Sequence, residues 1–332
     1  LHHDPAGRPY ARPGEMAGRI VAAAAESGIG LTLLPAFYAQ GGFGGAPPSA
    51  AQRRFLCTVD NFAKLLEETA AALAALPDAT IGVAPHSLRA VTPKALAQVT
   101  ALAAGRPVHI HVAEQRREVE ECLAWSGTRP VEWLLDHAEV NATWCIVHAT
   151  HMTEQETARL ARTGAVAGLC PITEASLGDG IFNGPGWLAA GGSYGIGTDS
   201  NVRIGAAAEL AALEYAQRLS TEARNVLASG AGRATGRSLF DAAREGGARA
   251  MASGQAAIAF GRPADLLALD TKGMSLALRG EDGWLDGWIF AADRAIDTVW
   301  RRGRPVVRHG RHIARESIER RYLASLRRLM AA

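Results

Sequence analysis

Lysine is almost missing from this chain of 332 residues: it stands only at positions 64, 94 and 272, and arginine carries nearly all the positive charge. That arginine bias, with abundant alanine, speaks of a GC-rich genome and not of a function. Net charge is also missing. Thirty-five basic residues against 33 acidic ones leave +2 at neutral pH, too little to support a nucleic-acid or membrane-surface role. No apolar run reaches the roughly 18 residues that a membrane span needs. Cysteine is scarce, at Cys57, Cys122, Cys145 and Cys170, and no CxxC pair occurs. A chain this long does not depend on disulfide staples, so reduced thiols and a cytoplasmic location are expected. No signal peptide precedes Leu1, and the absence of an initial Met suggests that the chain begins partway through a longer protein.

What is present is an ample core-forming composition, 48% hydrophobic with 20% charged residues, which suits a globular protein acting on a small molecule. Short apolar runs alternate with helical patterns. A helix over Glu15 to Glu26 precedes the strand Leu31 to Tyr38, and a Gly- and Pro-rich stretch, AQGGFGGAPPSAAQRRF, follows. Such a loop in a compact enzyme is either a substrate loop or a plain connection. Further strands are expected at Thr80–Ala84, Val108–Ala113, Cys145–Ala149, Ala165–Leu169 and Ser193–Gly197, with helices between them. Thr153 and Glu156 form a capping-box pattern. Continuous apolar strands alternating with helices predict a parallel sheet covered on both faces, and six such strands are two short of a closed eight-stranded barrel. Beyond the helix following Phe240, the runs AIAFGRPADLLALD and GWIFAADRAIDTVWRRGRPVVRHG predict a small β domain, and Glu316 to Met330 an amphipathic helix with a solvated arginine face.

Polar residues close several of the apolar runs: His111 and Glu114 in VHIHVAEQ, His148 in WCIVHAT, Asp199 in YGIGTDSN. In a parallel barrel the strand ends face one rim, so these residues would converge. Each has a bland alternative: a satisfied core histidine for His148, a turn or cap aspartate for Asp199. Their order at successive strand ends favours a hydrolytic site. His109 shares a face with His111 but sits deeper and reads as a packed interior histidine. His86 and Arg89 lie just past Thr80–Ala84 on the same rim, where arginine can grip a carboxylate with two parallel hydrogen bonds.

The order HxxE, then His, then a GTDS-type Asp resembles the amidohydrolase superfamily, in its deaminase branch, and GRPADLLALD is similar to a return strand of that superfamily's small sandwich. A narrower set resembles the formimidoylglutamate deiminases: GLTLLPAFYAQGGFGG, QRRF, PHSLRAV, HIHVAEQ, CPITEASLGDGIF and LEYAQRL. The resemblance implies an α/β fold, a metal-dependent (β/α)8 TIM-like barrel over residues 1–252 with strands 3 to 8 present. Residues 253–332 would form part of a β-sandwich plus the terminal helix. It implies hydrolysis of N-formimidoyl-L-glutamate to N-formyl-L-glutamate and ammonia in histidine degradation, by a homodimer holding one divalent metal ion, Zn²⁺ in first place.

Residue by residue, the resemblance makes His111 and Asp199 metal ligands, with Asp199 also taking a proton from water. His148 activates that water, Glu114 is the proton carrier, and His86 and Arg89 bind substrate. The superfamily's HxH ligand pair has no counterpart before His109, and His2 and His3 are adjacent, which puts them on opposite faces of a strand. The missing half of the metal shell is therefore expected upstream of Leu1. Asn201 stands where the close family has His, and Ile172 where Thr is usual. Two other readings stay open: a deaminase of guanine or an adenosine derivative, and a barrel or fragment left inactive for want of its HxH pair.

Overall fold

The computed structural model describes residues 2–254, 257–292 and 294–331. Parallel strands follow one another in chain order. β1 (Thr32–Leu33) and β2 (Ala36–Phe37) pair with β3 (Thr80–Ile81) and β4 (Ala84–Pro85), and bridges Val83↔Val108 and Ser87↔His111 carry the sheet on to β5 (Val108–Val112). β6 (Trp144–His148), β7 (Val166–Leu169) and β8 (Ser193–Ile196) complete it in the order β5-β6-β7-β8. The first two expected strands are each divided at one level, because Pro35 has no N–H to give the ladder between them.

Parallel neighbours require crossovers, and helices supply them. Several start as the sequence indicates: Thr58, Thr92 and Thr153 each accept a backbone N–H in the first turn, and Thr153 with Glu156 forms the full capping box. The Gly-rich segment between β7 and β8 contains two short helices, Pro171–Leu177 and Gly184–Ala189, each with proline in its first turn, where its fixed φ suits helix entry. Ile110, Val112, Ile146, Ala167 and Leu169 from the strands pack with Leu96, Leu134, Leu160 and Leu239 from the helices in one core.

The helix Thr235–Ala250 lies so close to β8 that a Cβ at Gly246 would overlap the Tyr194 carbonyl. Gly246→Ala must push helix and strand apart, and we expect a loss of roughly 1–3 kcal/mol or more, read as a lower urea midpoint at unchanged slope. An unchanged midpoint would show that the contact is slack.

The C-terminal sheet is antiparallel, ordered β12-β11-β10-β9, from β9 (Leu266–Leu269), β10 (Ile296–Arg301), β11 (Arg304–Arg308) and β12 (Arg311–His312). GWIF, expected to be strand, is instead the end of a helix, Gly283–Phe290. Leu285, Trp288 and Ile289 are buried there at helical spacing. The terminal helix Arg315–Met330 buries none of its residues, and its arginine face is solvated as expected.

Candidate functional site

The polar strand ends do meet. β5 ends in a turn through Ala113 to Glu114, β6 ends at His148, and Asp199 follows β8, while His86 follows β4. At these turns the backbone is strained: Ala113, His148, Ala149 and Asp199 have φ of 54°, 70°, 50° and 46°. The left-handed region costs a non-glycine residue about 1–3 kcal/mol, and such strain persists only where surrounding bonds impose it. At Ala113 a buried carboxylate supplies such a bond. Glu118 accepts the N–H groups of Ala113 and Glu114 at 3.2 and 3.0 Å. Burial pushes the Glu118 carboxyl above its ordinary pKa, against the pull of nearby Arg89 and of those two N–H groups. Glu209 accepts Ile172 N–H at 2.9 Å and the Asn201 side-chain amide at 3.0 Å, so both positions that depart from the family pattern serve the loop scaffold around Asp199.

His111 donates from Nδ1 to the His86 carbonyl at 2.8 Å, which leaves its Nε2 as a lone-pair donor. Its ring centroid lies 5.0 Å from that of His86 and 5.5 Å from that of His148. His148 Nδ1 is 3.2 Å from Glu174 Oε1, and its Nε2 is buried with no hydrogen-bond partner, 3.7 Å from Glu114 Oε1. Glu114 is also reached by Arg89, whose Nη2 lies 3.5 Å from Oε2. The Arg89 Nε is buried without a partner.

Electrostatics separate the three histidines. Burial, helped by His111 and Arg89, pushes His86 down to about 4, so it is a neutral imidazole at neutral pH. Burial also lowers His111. His148 differs: burial would lower it, but the hydrogen bond to Glu174 and the charges of Glu114, Glu174 and Asp199 outweigh that and hold it above its usual value. Asp199 acts electrostatically on all three.

Two imidazole Nε2 atoms and nearby carboxylates form a donor set of the kind zinc accepts. The orphaned, buried Nε2 of His148 marks a place for a further polar group. Yet among the described residues no group of three or more His, Cys, Asp or Glu side chains could hold a metal ion. The residues thus fit one side of a metal shell.

His109 stays out of the cluster, its Nε2 2.9 Å from the Ala250 carbonyl, as its depth in the strand suggests. Tyr38 was not singled out by its sequence context, but its ring lies 5.0 Å from His86 and its hydroxyl accepts from Gln52 at 2.6 Å. A cavity of about 550 Å³ is lined by Tyr38, His86, Gln52, Phe55 and His2. The GGFGG loop is folded against the barrel, with Phe43 stacked on Trp125 at 5.4 Å. Glu118, Glu174 and Glu209 were also missed. A glutamate on the buried face of an amphipathic helix was the available signal.

A model of the amidohydrolase family matches residues 14–306. Formimidoylglutamate deiminase of Pseudomonas aeruginosa is 48% identical over 334 residues, covering 99% of this chain and 73% of that enzyme. Among solved structures, an amidohydrolase from Brucella melitensis superposes with a TM-score of 0.96 at 54% identity, over 99% of this chain and 73% of that one. An adenosine deaminase from Xanthomonas campestris with bound zinc gives 0.77 at 23% identity, covering 94% and 69%, which speaks for the fold alone.

Proposed function

Because this chain belongs to the amidohydrolase family, we propose that it hydrolyses a linear amidine, N-formimidoyl-L-glutamate, to N-formyl-L-glutamate and ammonia. The observation that carries the reading is the contact set of Glu114, one carboxylate between His148 Nε2 and Arg89, in a chain so similar to the Pseudomonas deiminase. A carboxyl group placed beside an imidazole can move protons, and a neighbouring arginine can bind an anionic substrate.

In this reading His111 Nε2 and Asp199 would hold the metal. A bound divalent ion, zinc in first place, supplies Lewis acidity and makes hydroxide available near neutral pH. His148 Nε2 accepts a hydrogen bond from the attacking water, and Asp199 takes a proton from it. Glu114 gives one proton to the imine nitrogen, and the water proton taken by Asp199 is returned, through Glu114, to the amino group, which leaves as ammonia while the C–N bond breaks and the formyl carbonyl forms. Arg89 and the neutral His86 hold the substrate's carboxylates, with Arg89 turning from Glu114 to the substrate. We further place the reaction in cytoplasmic histidine degradation, carried out by a homodimer, with residues 1–252 as the catalytic barrel and 253–332 as the sandwich part plus terminal helix. The four cysteines, all free thiols among the described residues, support a reducing compartment.

Arg89→Met tests substrate recognition. A charge-assisted bond contributes about 1.5–3 kcal/mol, so KM should rise roughly 10- to 150-fold while kcat changes little. Steady-state ammonia release measures both constants, and an unchanged KM would remove Arg89 from the site.

A further inference from the structure

Glu174 carries a clue that the proposed reaction does not use. Its side chain is buried on the first turn of the helix Pro171–Leu177, where its own N–H donates to the Cys170 carbonyl at 2.9 Å. Its Oε1 accepts the Cys170 N–H at 2.9 Å. That oxygen is therefore an acceptor, and the His148 Nδ1 atom 3.2 Å away faces it as the donor. On the far side of the same ring, Nε2 is buried without a partner, because Glu114 at 3.7 Å is too distant for a hydrogen bond.

We propose that Glu174 is the positioning residue of His148: it keeps the ring proton on Nδ1 and the Nε2 lone pair aimed at the reacting centre. A neutral imidazole has one donor and one acceptor nitrogen, and the bond made by one decides the role of the other. The opposite tautomer would place an N–H at Nε2, unable to accept from water, and would leave Nδ1 facing an acceptor. The tether comes not from the ring's own strand but from Glu174 in the next βα unit. The catalytic consequence rests on the deiminase reading; the tautomer assignment rests on geometry alone.

The test joins a spectroscopic readout to kinetics. Long-range ¹H–¹⁵N correlation on ¹⁵N-histidine-labelled protein, recorded at alkaline pH where the ring is neutral and with His148→Gln to assign the signal, should show His148 as the Nδ1–H tautomer. Glu174→Gln keeps an oxygen acceptor and should retain that tautomer and most of the turnover. Glu174→Leu should shift His148 toward Nε2–H and lower kcat roughly 10- to 100-fold, with KM changed less than about threefold. An Nε2–H tautomer in the unmodified protein would overturn the proposal, and so would Glu174→Leu with an unchanged tautomer and full kcat. Should Glu174→Leu fail to fold, the unmodified protein and Glu174→Gln decide the matter by their tautomers. A protein that shows the Nδ1–H tautomer but releases no ammonia would count against the reaction and not against Glu174.

Discussion

Glu114→Gln is expected to lower kcat by roughly 10² to 10⁴, the range a placed general acid or base contributes, while the bound metal stays. Glutamine keeps the size and the Arg89 contact surface, and the N–H of residue 114 would still be held by Glu118. Only the exchangeable proton is lost. Metal analysis of the purified variant separates this role from that of a ligand: turnover gone with metal retained is the expected pattern, and loss of both would mean that Glu114 belongs to the metal shell. Circular dichroism should be unchanged, because no buried hydrogen bond is removed.

His111→Ala should give the complementary pattern, with metal and turnover lost together. The imidazole is fixed by the His86 carbonyl on one nitrogen and offers a lone pair on the other, the arrangement of a metal-ligating histidine. A metal ion typically supplies several kcal/mol of transition-state stabilisation, so its loss should cost on the order of 10³ or more in rate. Added zinc should restore only part of the activity, since alanine leaves the shell one ligand short. Retention of metal at full occupancy would take His111 out of the ligand set.

These two residues were legible in the sequence for a simple reason. A buried parallel strand reads as a continuous apolar run, so polar residues closing it stand out, and three runs closed in this way, in order, pointed to one rim. The partner that fixes His148 was not legible, because Glu174 lies 26 residues away in a segment rich in glycine. Glu118 sits in RREVEECLAW among other charged residues, and only its i, i+4 spacing to Cys122 on the buried face of the helix sets it apart. The Arg89 contact with Glu114 spans 25 residues and exists only because β4 and β5 are neighbours. GWIF, the end of helix Gly283–Phe290, was read with the β domain because a short apolar run has no periodicity long enough to separate helix from strand.

The central claim is the identity of the substrate. The zinc-loaded protein, incubated in parallel with N-formimidoyl-L-glutamate, guanine and adenosine, should release ammonia from the first in a one-to-one ratio with N-formyl-L-glutamate, and negligible ammonia from the purines. Ammonia from guanine or adenosine, with none from N-formimidoyl-L-glutamate, would contradict the account.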